Sequence, residues 1–196
     1  MKRITAAAFA ALAFAPALAR ADTSTWNIDP AHTMAGFSVK HLVISTVRGE
    51  FGKTTGVLHL DDKDVTKSSV EATIDTTTIT TRNADRDNHL KSPDFFDVAK
   101  YPTITFKSTR VVKAHGHLEV TGDLTMKGVT RPVTLRVTGP TPEIKDPGGN
   151  LRRGIQATGK ISRKAFGLLW NKVVEAGPVV GDEVAIEIDA EVVKAK

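Results

Sequence analysis

Polar and apolar residues alternate with a period of two along most of this chain, the pattern of strands that bury one face and wet the other. Between Ala35 and His41, Phe37, Val39 and His41 fall on one side and Ser38 and Lys40 on the other. Val70, Ala72 and Ile74 oppose Glu71, Thr73 and Asp75, and Ile104 and Phe106 oppose Thr105 and Lys107. The same rhythm runs through His117–Met126, through Val133, Leu135 and Val137, and through Ile155, Ala157 and Ile161. It is clearest in Val184, Ile186, Ile188, Ala190 and Val192, which alternate with Glu183, Glu187, Asp189 and Glu191. A run over Gly49–Leu60 and a short one near Trp26 bring the expectation to about eight or nine strands. Turn-forming clusters separate them at residues 61–64, at Lys127-Gly128 and over Gly139–Asn150. One-faced strands joined in this way predict antiparallel sheet.

Two segments break the rhythm. Arg82–Ser108 packs Arg86, Asp87, His89, Lys91, Asp94 and Asp97 among Leu90, Phe95, Phe96, Tyr101 and Phe106. Thr81 is placed to cap a short helix over about residues 82–91, which Pro93 stops from extending. Arg163–Val180 shows no alternation and carries Phe166, Leu168, Leu169 and Trp170. Closing one curled sheet on itself removes its edges, so an all-β, eight-stranded antiparallel barrel with short helical or loop segments near 82–97 and 163–180 is the economical fold. A flat sandwich is the competitor. Eight strands leave room for packed side chains or for one elongated ligand. Few aromatic residues and many Val, Ala, Gly and Thr predict a cavity. The rings of the two irregular segments then serve as lids over it, or else as plain core.

The N-terminus has its own composition. Lys2 and Arg3 precede an Ala-rich apolar run, Ile4–Leu18, too short to span a bilayer. Small-residue cleavage patterns follow at residues 17–19 and 19–21, and cutting after Ala21 makes residues 1–21 a signal peptide and Asp22 the mature N-terminus. Cleavage after Ala19 is the alternative. Losing Lys2, Arg3 and Arg20 lowers the formal charge from +5 to +2. The basic balance is therefore weak support for a nucleic-acid partner, which needs a clustered basic face. Residues 22–196 suit a single domain with a good core. The chain has no cysteine, which excludes disulfides, thiol nucleophiles, thiolate metal sites and a lipidated Cys after the leader. Together these features predict a soluble periplasmic protein with no stable membrane anchor.

Candidate chemistry is sparse. His115 and His117 share a strand face but lie in a polar, turn-like stretch without a third ligand, which reads as a solvated hairpin, and no other histidine has metal-ligand spacing. Asp87, His89 and Ser92 lack a nucleophile elbow and an oxyanion hole, so no catalytic residue is assigned. Gly148-Gly149 lacks the following Lys-Ser/Thr of a phosphate loop, and no cofactor is implied. Arg86 and Asp87, next to Leu90, read first as an ion pair fixing a loop to the barrel. Their second reading is a polar rim that positions a ligand head group, a rim that Arg163 and Lys164 can share.

Taken together, the motifs resemble those of the YceI-like family of exported polyisoprenoid-binding proteins. The resemblance rests on Trp26–His32 (WNIDPAH), residues 36–42 (GFSVKHL), Arg48–Phe51 (RGEF), and Thr81 followed by Arg86–Leu90 (RDNHL). It continues through Asp94–Phe96 (DFF), Tyr101–Phe106 (YPTITF), residues 122–130 (GDLTMKGVT), residues 162–168 (SRKAFGL) and Val180–Val184 (VGDEV). Thr33 stands where the family usually has Ser, which keeps the hydroxyl. The resemblance covers residues 24–193. It implies a lipocalin-like, eight-stranded barrel whose apolar interior holds a long isoprenoid chain. It also implies a non-enzymatic protein, often a homodimer, some of whose relatives sit near the quinone chemistry of membrane proteins.

Sequence and resemblance together give the expectation of a periplasmic binding protein that carries or stores a long-chain isoprenoid lipid, of polyprenyl or isoprenoid-quinone type. Phe37, Val39, Phe51, Leu90, Phe95, Phe96, Phe106, Phe166, Leu169 and Trp170 are expected to line or cover the cavity. Arg86, Asp87 and His89 are expected at its mouth or as its brace. An enzyme acting on a small lipid inside the barrel is the alternative.

Overall fold

The computed structural model describes residues 23–175 and 177–196; the leader and its cleavage point lie outside the described residues. Fourteen strand segments occur among them: β1 (Thr23–Ile28), β2 (Met34–His41), β3 (Ser45–Phe51), β4 (Thr54–Asp61), β5 (Ser69–Asp75), β6 (Ile79–Thr80), β7 (Thr103–Ala114), β8 (His117–Met126), β9 (Val129–Thr138), β10 (Ile144–Lys145), β11 (Leu151–Ser162), β12 (Val173–Val174), β13 (Gly177–Pro178) and β14 (Val180–Lys194). One helix, α1 (Ala84–Lys91), lies between β6 and β7.

The main sheet closes. Its hydrogen-bonded order runs β11-β9-β8-β7-β5-β4-β1-β14, and β14 pairs back onto β11 over a long register from Ser162↔Glu183 to Arg152↔Val193. This makes an antiparallel barrel of eight staves. Alternation sets its inside: Val184, Ile186, Ile188, Ala190 and Val192 point inward from β14, as do Val70, Ala72 and Ile74 from β5.

Three staves are broken strands. β1 and β2 both pair with the same edge of β14, Ile28 opposite Val192 and Met34 opposite Asp189, so residues 29–33 are a short excursion from one long strand. The Asp29 carboxylate accepts from the amide of Ala31 to form that excursion. Residues 49–60, expected as one strand, instead join β3 and β4 across Gly52-Lys53, and β5 and β6 are interrupted by a 3-10 turn at Thr76–Thr78. Asp75 caps that turn through the amide and hydroxyl of Thr77.

The two ends differ. Where β1 meets the end of β14, Trp26 is fully buried among Leu58, Leu60 and Val192, and the cations of Arg153 and Lys194 lie 5.1 and 5.4 Å from its ring centroid. Its indole N–H donates to Ser24 Oγ at 2.8 Å, leaving no orphaned donor. This end is plugged. At the opposite end two segments that break the strand pattern, residues 81–102 and 163–175, fold over the opening.

Helix α1 does not bury an apolar stripe; Leu90 is its one large apolar residue. It is held by its ends. Asn83, not Thr81, is the cap, and its side chain accepts from the amide of Arg86 at 2.9 Å. Asp85 and Asp87 in the first turn and His89 and Lys91 in the last complement the helix dipole. Thr81 is instead buried at the junction with β6, where it anchors the helix to the barrel.

Candidate functional site

A cavity of about 240 Å³ runs inside the barrel. Its wall extends along β14 from Val180 to Val192, and twelve residues of strand at about 3.3 Å each, tilted by roughly 40°, give a bore about 30 Å long. Small residues keep it open: Ala35, Ala72, Ala157 and Ala190 all face the bore. Its polar wall residues are Thr33, Thr54 and Arg163. The Thr54 hydroxyl is buried and has no hydrogen-bond partner among the described residues.

Of the residues expected at the cavity, Phe37, Val39, Phe51, Leu90, Phe95, Phe96 and Phe106 line the bore. Phe51 sits at the hinge between its two neighbours, 5.7 Å from the ring of Phe37 and 5.6 Å edge-on to Phe96. Gly49 makes room for this packing: a Cβ there would lie 2.4 Å from the Phe37 ring. Phe95 and Phe96 come from the turn after α1, fixed by the Phe96 amide donating to Leu90 O at 3.0 Å.

The second segment corrects one expectation. Leu169 is 66% exposed and does not line the bore, whereas Leu168 is 4% exposed and does. The reason is backbone geometry: Gly167 takes φ +78°, a left-handed turn after the short 3-10 helix Lys164–Phe166 that swings Leu168 inward. Phe166 is buried in the core at the base of this lid and lines neither cavity.

Arg163 holds the lid. It is 4% exposed, and its guanidinium donates to the carbonyls of Gly181, Leu168, Trp170 and Val180. Burial pushes its pKa down from the ordinary guanidinium value, and the nearby Asp182 carboxylate opposes that effect. Asp182 in turn accepts from Ser162 Oγ and the amide of Lys164, which pins the start of the segment. Asn171 closes it by bonding both main-chain groups of Val180.

Arg86 and Asp87 do not form the direct ion pair expected of them. Both grip Thr81 instead. The Asp87 carboxylate accepts from the Thr81 amide at 2.8 Å and from its hydroxyl, while Arg86 donates to the Thr81 hydroxyl at 2.7 Å and carbonyl at 2.9 Å. Burial works against the Asp87 carboxylate, but the hydrogen bonds from Thr81 and Thr80, with the charge of Arg86, hold its pKa below the ordinary carboxylate value.

A second hollow, about 170 Å³, opens beside the bore at the lidded end. Phe37, Val39, Leu90, Phe95 and Val180 face both spaces. Lys40, His41, Arg86, His89 and Trp170 face only this vestibule. His89 binds Asp94 at 2.9 Å and stacks edge-on against Phe95 at 5.0 Å and Trp170 at 4.8 Å, so it joins the two lids. Lys40 and His41 were not among the residues expected here. Lys40 falls in the polar phase of its strand, so alternation gives no sign that it faces this hollow.

The fold and the bore define the class: a closed antiparallel barrel, plugged at one end, lidded at the other and apolar within. The chain belongs to the YceI-like family, whose domain model matches residues 26–192. It is 38% identical over 197 residues to Protein YceI of Escherichia coli O157:H7, covering 100% of this chain and 99% of that protein. A UPF0312 protein of Vibrio cholerae is 36% identical, with 95% and 97% covered. Among solved structures, the Campylobacter jejuni YCEI protein superposes with a TM-score of 0.68 at 29% identity, over 80% of this chain and 90% of that one. Burkholderia cenocepacia BcnA shares the fold, with a TM-score of 0.71 at 24% identity, over 84% and 98%. So does a polyisoprenoid-binding domain from Saccharophagus degradans, with a TM-score of 0.63 at 14% identity, over 87% and 98%.

Proposed function

We propose that this protein binds a long isoprenoid chain lengthwise in the bore and carries or stores it in the periplasm after removal of residues 1–21. The observation that carries the reading is the bore itself: a space about 30 Å long whose wall is apolar apart from two threonines and one arginine already bonded to main-chain carbonyls. Such a wall recognises length and branching rather than charge. Burying a methylene is worth about 0.8 kcal/mol, so each five-carbon unit contributes roughly 3–4 kcal/mol before the cost of ordering the chain. The polyisoprenoid binding of the Saccharophagus degradans domain, which shares this fold, supports the same reading.

The lining also favours binding over turnover, since none of Thr33, Thr54 and Arg163 is bonded to a base that could activate a nucleophile. The test is native mass spectrometry of protein purified from its own periplasm, followed by organic extraction. The expected result is a mass above that of the polypeptide and a prenyl lipid in the extract. Protein of polypeptide mass alone, whose melting temperature prenyl lipids fail to raise, would overturn the reading.

A further inference from the structure

We propose that the lidded end docks on an anionic lipid bilayer through the tips of two hairpins, β2–β3 and β12–β13. Of the seven large hydrophobic side chains that stand exposed among the described residues, five belong to these hairpins and the lid beside them: Val43, Ile44, Leu169, Val173 and Val174. Ile44 is 83% exposed and Val173 82%, so neither adds to the core. The two hairpins lie edge to edge. The Leu42 amide donates to Val179 O at 2.9 Å, the Val179 amide donates to Lys172 O at 2.9 Å, and Val174 pairs with Gly177 across β12 and β13. Val43 rests against that glycine, its Cγ2 3.7 Å from where a Cβ on Gly177 would stand. The edge of β2 therefore continues into the lid hairpin and carries both sets of aliphatic side chains to the same end of the molecule.

The turn at the β2–β3 tip is made against backbone preference. Leu42 has φ +50° and Val43 φ +66°, the left-handed region that glycine or asparagine enters freely and a β-branched residue rarely does. A hairpin tip in water favours Asn, Asp and Gly. Leu42-Val43-Ile44 has instead the composition of a tip that leaves water.

Place and charge say what covers it. His41 at the root of one hairpin, and Val179 and Val180 at the root of the other, wall the vestibule, so the tips stand beside the open end of the barrel and opposite the Trp26 plug. Residues 40–48 contain no acid, and residues 169–180 contain one, Glu175. Lys172 adjoins Val173, Lys40 lies two residues behind the turn at Leu42, within about one Debye length of it, and Arg48 is exposed on β3. None of the three cations has an ion pair among the described residues. Apolar tips bordered by unpaired cations suit a peripheral, reversible bilayer contact, in which aliphatic side chains enter the headgroup boundary while Lys and Arg meet anionic lipid. A second copy of the chain is a poorer match. A standard dimer interface engages roughly 20–30 residues a side, whereas these tips offer a handful of side chains and like charges that repel. That docking serves transfer of a prenyl lipid between bilayer and bore rests on the chain-binding reading above; the docking surface itself does not.

The experiment mixes protein purified from the periplasm with vesicles of phosphatidylethanolamine and phosphatidylglycerol, or of phosphatidylcholine alone, and measures the bound fraction by flotation. The anionic vesicles should bind at least tenfold more protein at low salt, and the difference should shrink at about 0.5 M ionic strength. The double variant Ile44→Asp/Val173→Asp should lower partition onto anionic vesicles at least tenfold, the milder Ile44→Ser/Val173→Ser should lower it in the same direction, and Lys172→Gln should lower it roughly fivefold. Ile144→Asp, at a 62% exposed position on β10 opposite Arg152 at the plugged end, should leave it unchanged. Melting temperatures without vesicles check that each variant is folded. Equal partition of the wild type and both hairpin variants, or an equal loss in Ile144→Asp, overturns the docking surface. Wild-type protein that ignores vesicles but self-associates, and loses that association in the hairpin variants, overturns it in favour of a second copy. Stabilisation by a prenyl lipid, read as a rise in melting temperature without vesicles, should persist in the hairpin variants. Its loss in them alone assigns the tips to the ligand site and overturns docking, whereas its absence in the wild type overturns the chain-binding reading and leaves the docking surface standing.

Discussion

The guanidinium of Arg163 donates to the main-chain carbonyl of Trp170 at 2.9 Å, spanning the short 3-10 helix Lys164–Phe166 and the left-handed Gly167 turn after it. Three more carbonyls, from Leu168, Val180 and Gly181, complete the same set, so one buried cation fastens both strands of the lid. Lysine cannot reproduce this, because a single ammonium lacks the planar fork. Arg163→Gln should destabilise the protein by about 2–4 kcal/mol, since it strands buried carbonyls, and Arg163→Lys should recover only part of the loss. Urea denaturation measures the first. Amide exchange measures the local consequence: residues 168–172 should open before the barrel does.

The anchor of the other lid is Thr81. Asp87→Asn keeps the shape, and its amide oxygen in the Oδ1 place still accepts from the Thr81 amide and hydroxyl, but the charge facing Arg86 is lost and an NH2 replaces the oxygen that accepts from Thr80. A loss of about 1–2 kcal/mol is expected, with prenyl-lipid affinity reduced less than stability. Collapse of binding at an unchanged melting temperature would instead place Asp87 in contact with the ligand.

Leu168 and Leu169 form a matched pair of tests one residue apart. Leu168→Ala removes a wall of the bore and should cost about 2–5 kcal/mol. Leu169→Ser changes an exposed side chain and should stay within about 0.5 kcal/mol. Thermal melts of the two variants side by side decide it. Similar costs at both positions would mean the Gly167 turn does not direct the lid as described.

Acid sensitivity should concentrate at the excursion between β1 and β2. The Arg152 side chain bonds Asp29 at 2.7 Å and Asp146 at 2.6 Å, and also reaches Glu191. Arg152 first, then His32, lowers the Asp29 pKa to about 2, and Arg152 and Asn150 hold Asp146 well below the usual carboxylate range. Both folded-state values lie below those of the unfolded chain. Their stabilisation is therefore fully present above pH 4 and is lost as pH falls through about 2. For Asp29 alone about 1–2 kcal/mol is at stake. Arg152→Gln should lower stability at pH 7 and flatten the decline between pH 5 and pH 2, measured by denaturant titration at each pH.

Much of this architecture was legible in alternation. The inward sets of β2, β5, β7 and β14 are the residues whose phase places them there, because burial on one face enforces a period of two. The breaks at residues 29–33 and 52–53 were not legible, since a short detour in one strand leaves the apolar phase on either side intact. Where periodicity stops, phase is lost. Leu168 and Leu169 are indistinguishable by composition, and only the left-handed Gly167 chooses between them. The grip on Thr81 is hidden in the sequence for a related reason: adjacent opposite charges suggest a pair, whereas successive helix residues point apart and here meet on a third side chain.

Trp26 closes its end of the barrel with a buried ring bracketed by two cations. A tube with a stopper has one door. Whatever fills it must back out the way it came, tail last, so a guest cannot be threaded through from donor to acceptor. For the guest proposed above, entry and exit therefore share one gate in opposite senses, the gate covered by the lids that His89, Phe95 and Trp170 join.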